Sequence, residues 1–330
     1  MTDTDTDTAA PAPAPTAADM AAAAATAQRN GLFGDHRAGP RVPRRVPEGW
    51  DDRPYTRFAV RPLAPTIGAE IGGVSLDRPV DDDLFAELDR ALLEWKVLFF
   101  RDQDITGPQH TAFAAHWGPL ESHPFIKVRH AQPDERPEVV RFEKGPKLGG
   151  YENVWHSDVT WRECPSLGSV LRAIEVPEVG GDTLFADMAA AYDGLDDETK
   201  ARIDGLTAVH DWLSTFGLGM DEATRAALRP DFPAAEHPVV RTHPETGRRT
   251  LYVNRAFTQH LVGVPDDEGR ALLERLWAQA TFPEYQCRWH WRAGDVAFWD
   301  NRSTQHYASS DYFPQRRIME RITVVGDRPA

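Results

Sequence analysis

Cysteine, long apolar runs and positive charge are all scarce in this chain, and each shortage removes a class of function. Two cysteines, Cys164 and Cys287, stand in 330 residues. Two cannot build a disulfide framework, and no CxxC pair is present to hold zinc. A reducing, cytoplasmic setting is the simplest expectation. No apolar run approaches the roughly 18 to 20 residues that a bilayer demands, so no membrane span is expected. Lys and Arg number 37 against 51 Asp and Glu, a formal charge of −14. In the first fifty residues five Arg oppose six Asp or Glu, so the acidity belongs to the remainder. An acidic body argues against nucleic acid or an anionic membrane as the main partner. There is no Walker A loop, no GxGxxG turn and no visible internal repeat.

Aromatic residues, by contrast, are plentiful. Ten tryptophans and fifteen phenylalanines call for a sizeable core or a roofed pocket. The N-terminus MTDTDTDTAAPAPAP is low-complexity and lacks the basic start and apolar stretch of a signal peptide. Residues 1–50 are expected to form a disordered extension, and residues 51–330 a single domain. FAVRPLAP, IGAEIGGVSL and VLFFRDQ read as strands in the first part of that domain. Between them, DDDLFAELDRALLEW places Leu84, Leu88, Ala91, Leu92 and Trp95 at helical spacing behind a run of acids. PQHTAFAAHWG reads as a helix opened by Pro108 and stopped by Gly118. Beyond about residue 135, strands dominate. PEVVRFEK, WHSDVTW, SLGSVLRAIEV, GDTLFAD, GLTAVHDW, PVVRTHP, RRTLYVN, QCRWHW, DVAFWDN and RRIMERITVVG all have β character, and HPETG has the makings of a hairpin turn. Helices interrupt near MAAAYDGL, DDETKARI and DDEGRALLERLWAQA. Many short strands with few alternating helices predict a mainly β sandwich or barrel rather than a doubly wound sheet.

WHSDVT carries the first chemical signal. Residues two apart on a strand share a face, whereas on a helix they diverge by about 200°. His156 and Asp158 on a strand would project together, one imidazole beside one carboxylate. Two histidines and a carboxylate are the ligand set of non-haem Fe(II) oxygenases. By itself HxD is a weak motif, and a capped strand end with a hydrogen-bonded His is the plainer account of it. The distal segment WDNRSTQHYASSDYFPQRRIMERITVVGD supplies His306, then Arg317 and Arg321. On a strand the two arginines share a face with Met319 and Thr323, while Ile318, Ile322 and Val324 take the other. Inward arginines need anions, and Arg suits a bidentate carboxylate or sulfonate.

Three motifs in order, WHSDVTW, GGDTLFADM and WDNRSTQHYA…QRRIMERITVVGD, resemble those of the Fe(II)/2-oxoglutarate-dependent taurine dioxygenase (TauD/TfdA) family. The resemblance runs from about Tyr55 to Asp327, and that family also includes 2,4-dichlorophenoxyacetate dioxygenases and alkylsulfatases. It implies a double-stranded β-helix, or cupin-like jelly roll, with helical insertions. It implies Fe(II) on His156, Asp158 and His306, with 2-oxoglutarate and O2 as co-substrates. The far carboxylate of 2-oxoglutarate would meet Thr183 and Arg317. Arg321 and His123 fall at the anion contacts of the substrate, Phe216 and Phe257 at pocket walls, and Val159 beside the substrate. Glu152 and Ile126 depart from the taurine pattern, which has asparagine and tyrosine there. The reaction implied is hydroxylation of a small anion of the taurine, alkylsulfonate or alkylsulfate type, with succinate and CO2 as by-products. The intact Asp158 favours hydroxylation or desaturation over halogenation. Glu152 and Ile126 keep open an amino-acid-like or carboxylic substrate in a biosynthetic pathway. A zinc or nickel hydrolase could use the same His-Asp-His set but has no need of Thr183 and Arg317. The resemblance also implies a homo-oligomer, dimer or tetramer.

Overall fold

The computed structural model describes residues 44–125, 137–150 and 152–330, with isolated positions between 16 and 22. Most of the expected extension 1–50, and Ile126, lie outside the described residues. Residues 44 and 45 are tied to the body. Arg248 donates to the Arg44 carbonyl at 2.9 Å, and Lys96 donates to the Arg45 carbonyl at 2.9 Å.

The chain opens with β1 (Ala59–Pro62), β2 (Ala69–Gly72), α1 (Asp82–Trp95), β3 (Val97–Phe100) and α2 (Gly107–Ala115). Next come β4 (Val139–Lys144), β5 (Ser166–Glu175), β6 (Thr183–Asp187), α3 (Met188–Asp193), α4 (Asp197–Ile203) and β7 (Thr207–His210). Then follow α5 (Glu222–Leu228), β8 (Ala235–Pro238), β9 (Val240–Thr242), β10 (Arg249–Leu251) and β11 (Thr258–Leu261). The last elements are α6 (Asp266–Ala278), β12 (Gln286–Trp289), β13 (Val296–Asp300), β14 (Thr304–Ala308) and β15 (Arg317–Val325). The turn HPETG does join a hairpin, β9 with β10. β8, β11 and α5 carry too weak a pattern to be read from sequence. The two strands are four residues each, and α5 buries no side chain, so it has no apolar stripe.

A large sheet runs β1-β2-β3-β13-β5-β15-β4, and a smaller one runs β12-β6-β14. Alternation along the large sheet decides what lies on each side. Leu98, Phe100, Val170, Val296, Phe298, Ile322 and Val324 face the helix layer, against Leu88, Leu92 and Trp95 of α1 and Phe113 of α2. Val97, Phe99, Leu171, Ala297, Trp299 and Met319 face the small sheet, against Phe185, Cys287 and Trp289. Both faces being covered explains why VLFF and VAFWD are continuous apolar runs. These facing sheets with helical insertions are the expected jelly roll. The division of β15 follows the expected period of two, with Met319 between the sheets and Ile322 and Val324 under the helices.

Two capped helices brace the outer face. Asp81 accepts from the Leu84 amide at 2.8 Å to start α1, and Lys96, at φ 65°, ends it. Thr106 and Gln109 form a reciprocal capping box at the start of α2. Among the described residues no helix is long and apolar enough to cross a membrane.

Candidate metal and co-substrate site

WHSDVTW is not a strand, which corrects the expectation from alternation. Only His156 pairs, in a single antiparallel bridge to His306 of β14. The His156 amide donates to the His306 carbonyl at 3.1 Å, and the His306 amide returns a bond to the His156 carbonyl at 2.8 Å. The chain then turns, with Val159 at φ 47°. A β-branched residue with positive φ is an outlier, held only where its surroundings over-determine it. The cause is Asn301. Its Oδ1 accepts from the Asp158 amide at 2.7 Å and its Nδ2 donates to the Asp158 carbonyl at 2.9 Å. A side chain has taken both groups that a neighbouring strand would have used, so pairing stops at Asp158.

That turn still brings the three expected ligands together. The ligand atoms of His156, Asp158 and His306 all lie within 4.8 Å of one another. Asp158 Oδ1 stands 3.9 Å from His156 Nε2 and 4.0 Å from His306 Nε2. His156 Nδ1 lies 2.8 Å from the Val154 carbonyl, which accepts from it and leaves Nε2 as the ring nitrogen turned toward Asp158. Burial, then the neighbouring His156, pushes His306 down to about 3, so this imidazole is neutral at pH 7. Burial would raise Asp158. Arg321 foremost, then His306 and His156, overcome that and hold its carboxyl well below the ordinary range. Two convergent imidazoles, that of His306 neutral, and an ionised carboxylate, with His306 and Asp158 buried and His156 partly so, fit Fe(II).

Arg321 of β15 donates from Nη1 to Asp158 Oδ1 at 2.6 Å, and Ser169 of β5 donates to Oδ2 at 2.9 Å. Arg321 therefore shares the oxygen that faces the histidines. Its buried Nε has no hydrogen-bond partner among the described residues. His123 lies close to this charge. Burial, then Arg321, pushes it down to about 3. Its Nδ1 accepts from the Phe125 amide at 3.2 Å, which puts the ring proton of this neutral histidine on Nε2.

An aromatic wall links these groups. The ring of His156 lies 6.3 Å from that of Phe257, Phe257 6.2 Å from Phe216, and Phe216 5.1 Å from His123. Val159, Trp161, Trp212 and Phe257 are buried in the same cluster, with Phe125 and Phe216 packed on it.

Arg317, the first residue of β15, is buried, and burial lowers its pKa. Its Nε donates to the Gly181 carbonyl at 3.1 Å. Gly181 sits at φ 71°, and a Cβ there would stand 3.2 Å from Arg317 Cδ, so a larger residue would crowd the contact. Two residues on, Thr183 is buried at the start of β6 and accepts from Trp291 Nε1 at 2.9 Å.

Glu152 behaves differently from the other expected pocket residues. Its carboxylate is 2.7 Å from Lys144 Nζ, and Lys144 stands opposite Arg317 across β4 and β15. Lys144, Asn301, Ser169 and Trp291 are not among the residues expected from sequence. Of these, only Asn301 lies inside a quoted motif, WDNRSTQH.

The model for the taurine catabolism dioxygenase TauD, TfdA family matches residues 59–323. The alkylsulfatase of Acinetobacter baylyi is 36% identical, covering 83% of this chain and 87% of its own. The alpha-ketoglutarate-dependent 2,4-dichlorophenoxyacetate dioxygenase of Cupriavidus pinatubonensis is 34% identical, covering 81% of this chain and 97% of its own. Among solved structures, a taurine dioxygenase from Burkholderia xenovorans superposes with a TM-score of 0.71 at 41% identity, over 83% of this chain and 91% of that one. AAD-2, solved with Mn(II) and N-oxalylglycine, gives 0.70 at 34% identity, over 83% and 99%. This chain belongs to the TauD, TfdA family. It is an oxidoreductase, an α-ketoglutarate-dependent dioxygenase whose His-Asp-His site suits Fe(II).

Proposed function

We propose that this enzyme hydroxylates a small anion with an apolar body, of the alkylsulfate or alkylsulfonate type, at the carbon beside the anionic group. The carrying observation is the pairing of Arg321 and His123 with the walls Phe216, Phe257 and Val159, all gathered beside His156, Asp158 and His306. The relatives support it, since two of them are an alkylsulfatase and a sulfate ester dioxygenase.

His156, Asp158 and His306 would hold Fe(II), and Thr183 with Arg317 would hold the far carboxylate of 2-oxoglutarate. When bound, the iron and 2-oxoglutarate supply the oxidation, with O2 consumed, succinate and CO2 released, and one oxygen atom delivered to a C–H bond. The chain's own work is placement. Arg321 offers its unpartnered Nε–H, and neutral His123 offers its Nε2–H, to the sulfate or sulfonate. The aromatic wall takes the alkyl body and keeps water from it. Anchoring one end fixes which carbon faces the metal ligands. In an alkylsulfate this is the carbon bearing oxygen, and its hydroxylation leads to loss of inorganic sulfate.

A carboxylic substrate is the second reading. Arg321 serves a carboxylate as well as a sulfate, and the 2,4-dichlorophenoxyacetate dioxygenases support it. An amino-acid-like substrate is less well served. Its ammonium would look to Glu152, whose charge is already met by Lys144. The same reasoning disfavours taurine.

Residues 51–330 would act as one catalytic unit, in a cytoplasmic dimer or tetramer. The unpaired thiols of Cys164 and Cys287 suit a reducing compartment. Succinate release, measured with hexyl sulfate, hexanesulfonate, taurine, phenoxyacetate and amino acids, decides among the substrates. Turnover with hexyl sulfate or hexanesulfonate is the expected result. Stimulation by amino acids alone would overturn the proposal.

A further inference from the structure

Trp291 belongs to no quoted motif role and touches no expected ligand, yet it ends on the one hydroxyl assigned to the co-substrate. Trp289 of β12 stands opposite Thr183 across the small sheet, and Trp291 follows two residues later. Its indole, 3% exposed, packs between the two sheets with Phe99, Phe185 and Met319. Its Nε1–H donates to Thr183 Oγ1 at 2.9 Å.

The consequence follows from counting protons. An indole N–H can only donate, whereas a threonine hydroxyl has one proton and two lone pairs. With one lone pair filled by Trp291, Thr183 gains nothing by turning its own proton toward the indole. That proton has no acceptor among the described residues. Thr183 is 2% exposed, so the proton is not spent on bulk water either. Arg317 presents the matching case: its Nε is spent on the Gly181 carbonyl, and no acid lies within ion-pair distance among the described residues. Two oriented donors thus wait for one acceptor.

We propose that Trp291 is a positioning residue for 2-oxoglutarate: its indole N–H fixes the Thr183 hydroxyl as a donor to the far carboxylate. Trp291 does this for Thr183 as the Gly181 carbonyl does for Arg317. The inference rests on the reading that Thr183 and Arg317 hold that carboxylate.

Trp291→Phe keeps an aromatic ring between the sheets and removes only the N–H. Anaerobic titration of the Fe(II)-loaded enzyme with 2-oxoglutarate, followed by its visible charge-transfer absorbance, reads the affinity directly. The dissociation constant should rise about three- to tenfold, the worth of one neutral hydrogen bond, with kcat at saturating 2-oxoglutarate within about twofold. The sharper control is 2-oxopentanoate, which keeps the chelating keto acid and lacks the far carboxylate. Its affinity should not change, because nothing at its other end meets Thr183. A core-packing role for Trp291 would weaken both ligands alike. In a Thr183→Val background, Trp291→Phe should add no further loss.

Unchanged 2-oxoglutarate affinity in Trp291→Phe, or equal losses for both keto acids, overturns the inference. If Thr183→Val itself leaves 2-oxoglutarate affinity unchanged, the underlying reading of Thr183 fails instead, and the two failures are distinguishable. Should the phenylalanine variant not fold, benzothienylalanine at position 291 replaces the N–H with sulfur at nearly the same shape and carries the same expectations.

Discussion

Acid should unfold this enzyme early, and His110 shows why. It lies in α2, fully buried against the large sheet, with Nε2 3.1 Å from the Val170 carbonyl of β5. That contact needs a proton on Nε2. Nδ1 is buried with no partner among the described residues, so a second proton would have nothing to bond. Burial accordingly pushes His110 down to about 3. In the unfolded chain it titrates near 6.5. Between those values the unfolded state binds more protons, so stability falls as pH drops below about 6.5. A pH of 5 lies about 1.5 units below the pKa of the unfolded group, which costs the fold about 2 kcal/mol for this one histidine. His123 and His306 are also pushed down to about 3, and burial pushes His210 well below its ordinary value. Asp89, Glu121 and Asp295 work the other way, because burial raises their carboxyls and folding then favours proton uptake. His110→Gln isolates the single contribution: it can still donate to Val170 and cannot be charged. Urea unfolding of metal-free wild type and variant at pH 7.5, 6.5, 5.5 and 5.0 gives the comparison. The loss between pH 7.5 and 5.0 should be smaller in the variant by about 2 kcal/mol. Parallel pH profiles for the two proteins would refute the reasoning.

Three further perturbations test the site. Asn301→Ala strips both backbone bonds from Asp158 and should destabilise by about 2–3 kcal/mol in urea unfolding; a change under about 0.5 kcal/mol would mean that the turn at Val159 holds itself. Arg321→Gln should raise KM for hexyl sulfate by about 30-fold or more. Without substrate, its Mn(II) affinity, followed by electron paramagnetic resonance, should not drop, because the guanidinium competes for Asp158 Oδ1; a drop would make Arg321 an orienter of that carboxylate. Glu152→Gln should change kcat/KM for hexyl sulfate by less than about fivefold, the scale of one exchanged polar contact, since Lys144 already occupies the carboxylate; a hundredfold loss would place Glu152 against the substrate.

The parts legible in the sequence were those with a period or a local cap. β15 splits its arginines from its isoleucines every second residue, and the register of the sheet keeps that split. α1 declares itself through Asp81 and the spacing of Leu88, Leu92 and Trp95. His156, Asp158 and His306 are legible as a ligand set, but strand alternation does not bring them together. An amide 143 residues away takes the backbone of Asp158 and forces the turn. Such a contact leaves no periodic trace. The same limit hid Trp291 and Lys144. Glu152 shows in the sequence only as a departure from the taurine pattern until the fold sets Lys144 against it. α5, with no buried face, gives no stripe to find.

The reciprocal backbone bridge between His156 and His306 bears on how the enzyme acquires its metal. The two imidazoles are held side by side by backbone hydrogen bonds, across 150 residues of chain, rather than by the ion alone. Loop-closure entropy has been spent in folding, so the ion need not supply it. Metal exchange is then an open competition at a finished site, decided by which divalent ion the surroundings offer and by the ordinary ranking of their affinities. An enzyme purified from zinc-rich medium should be folded, dimensionally intact and mis-metallated, and recoverable by chelation and iron without passing through the unfolded state.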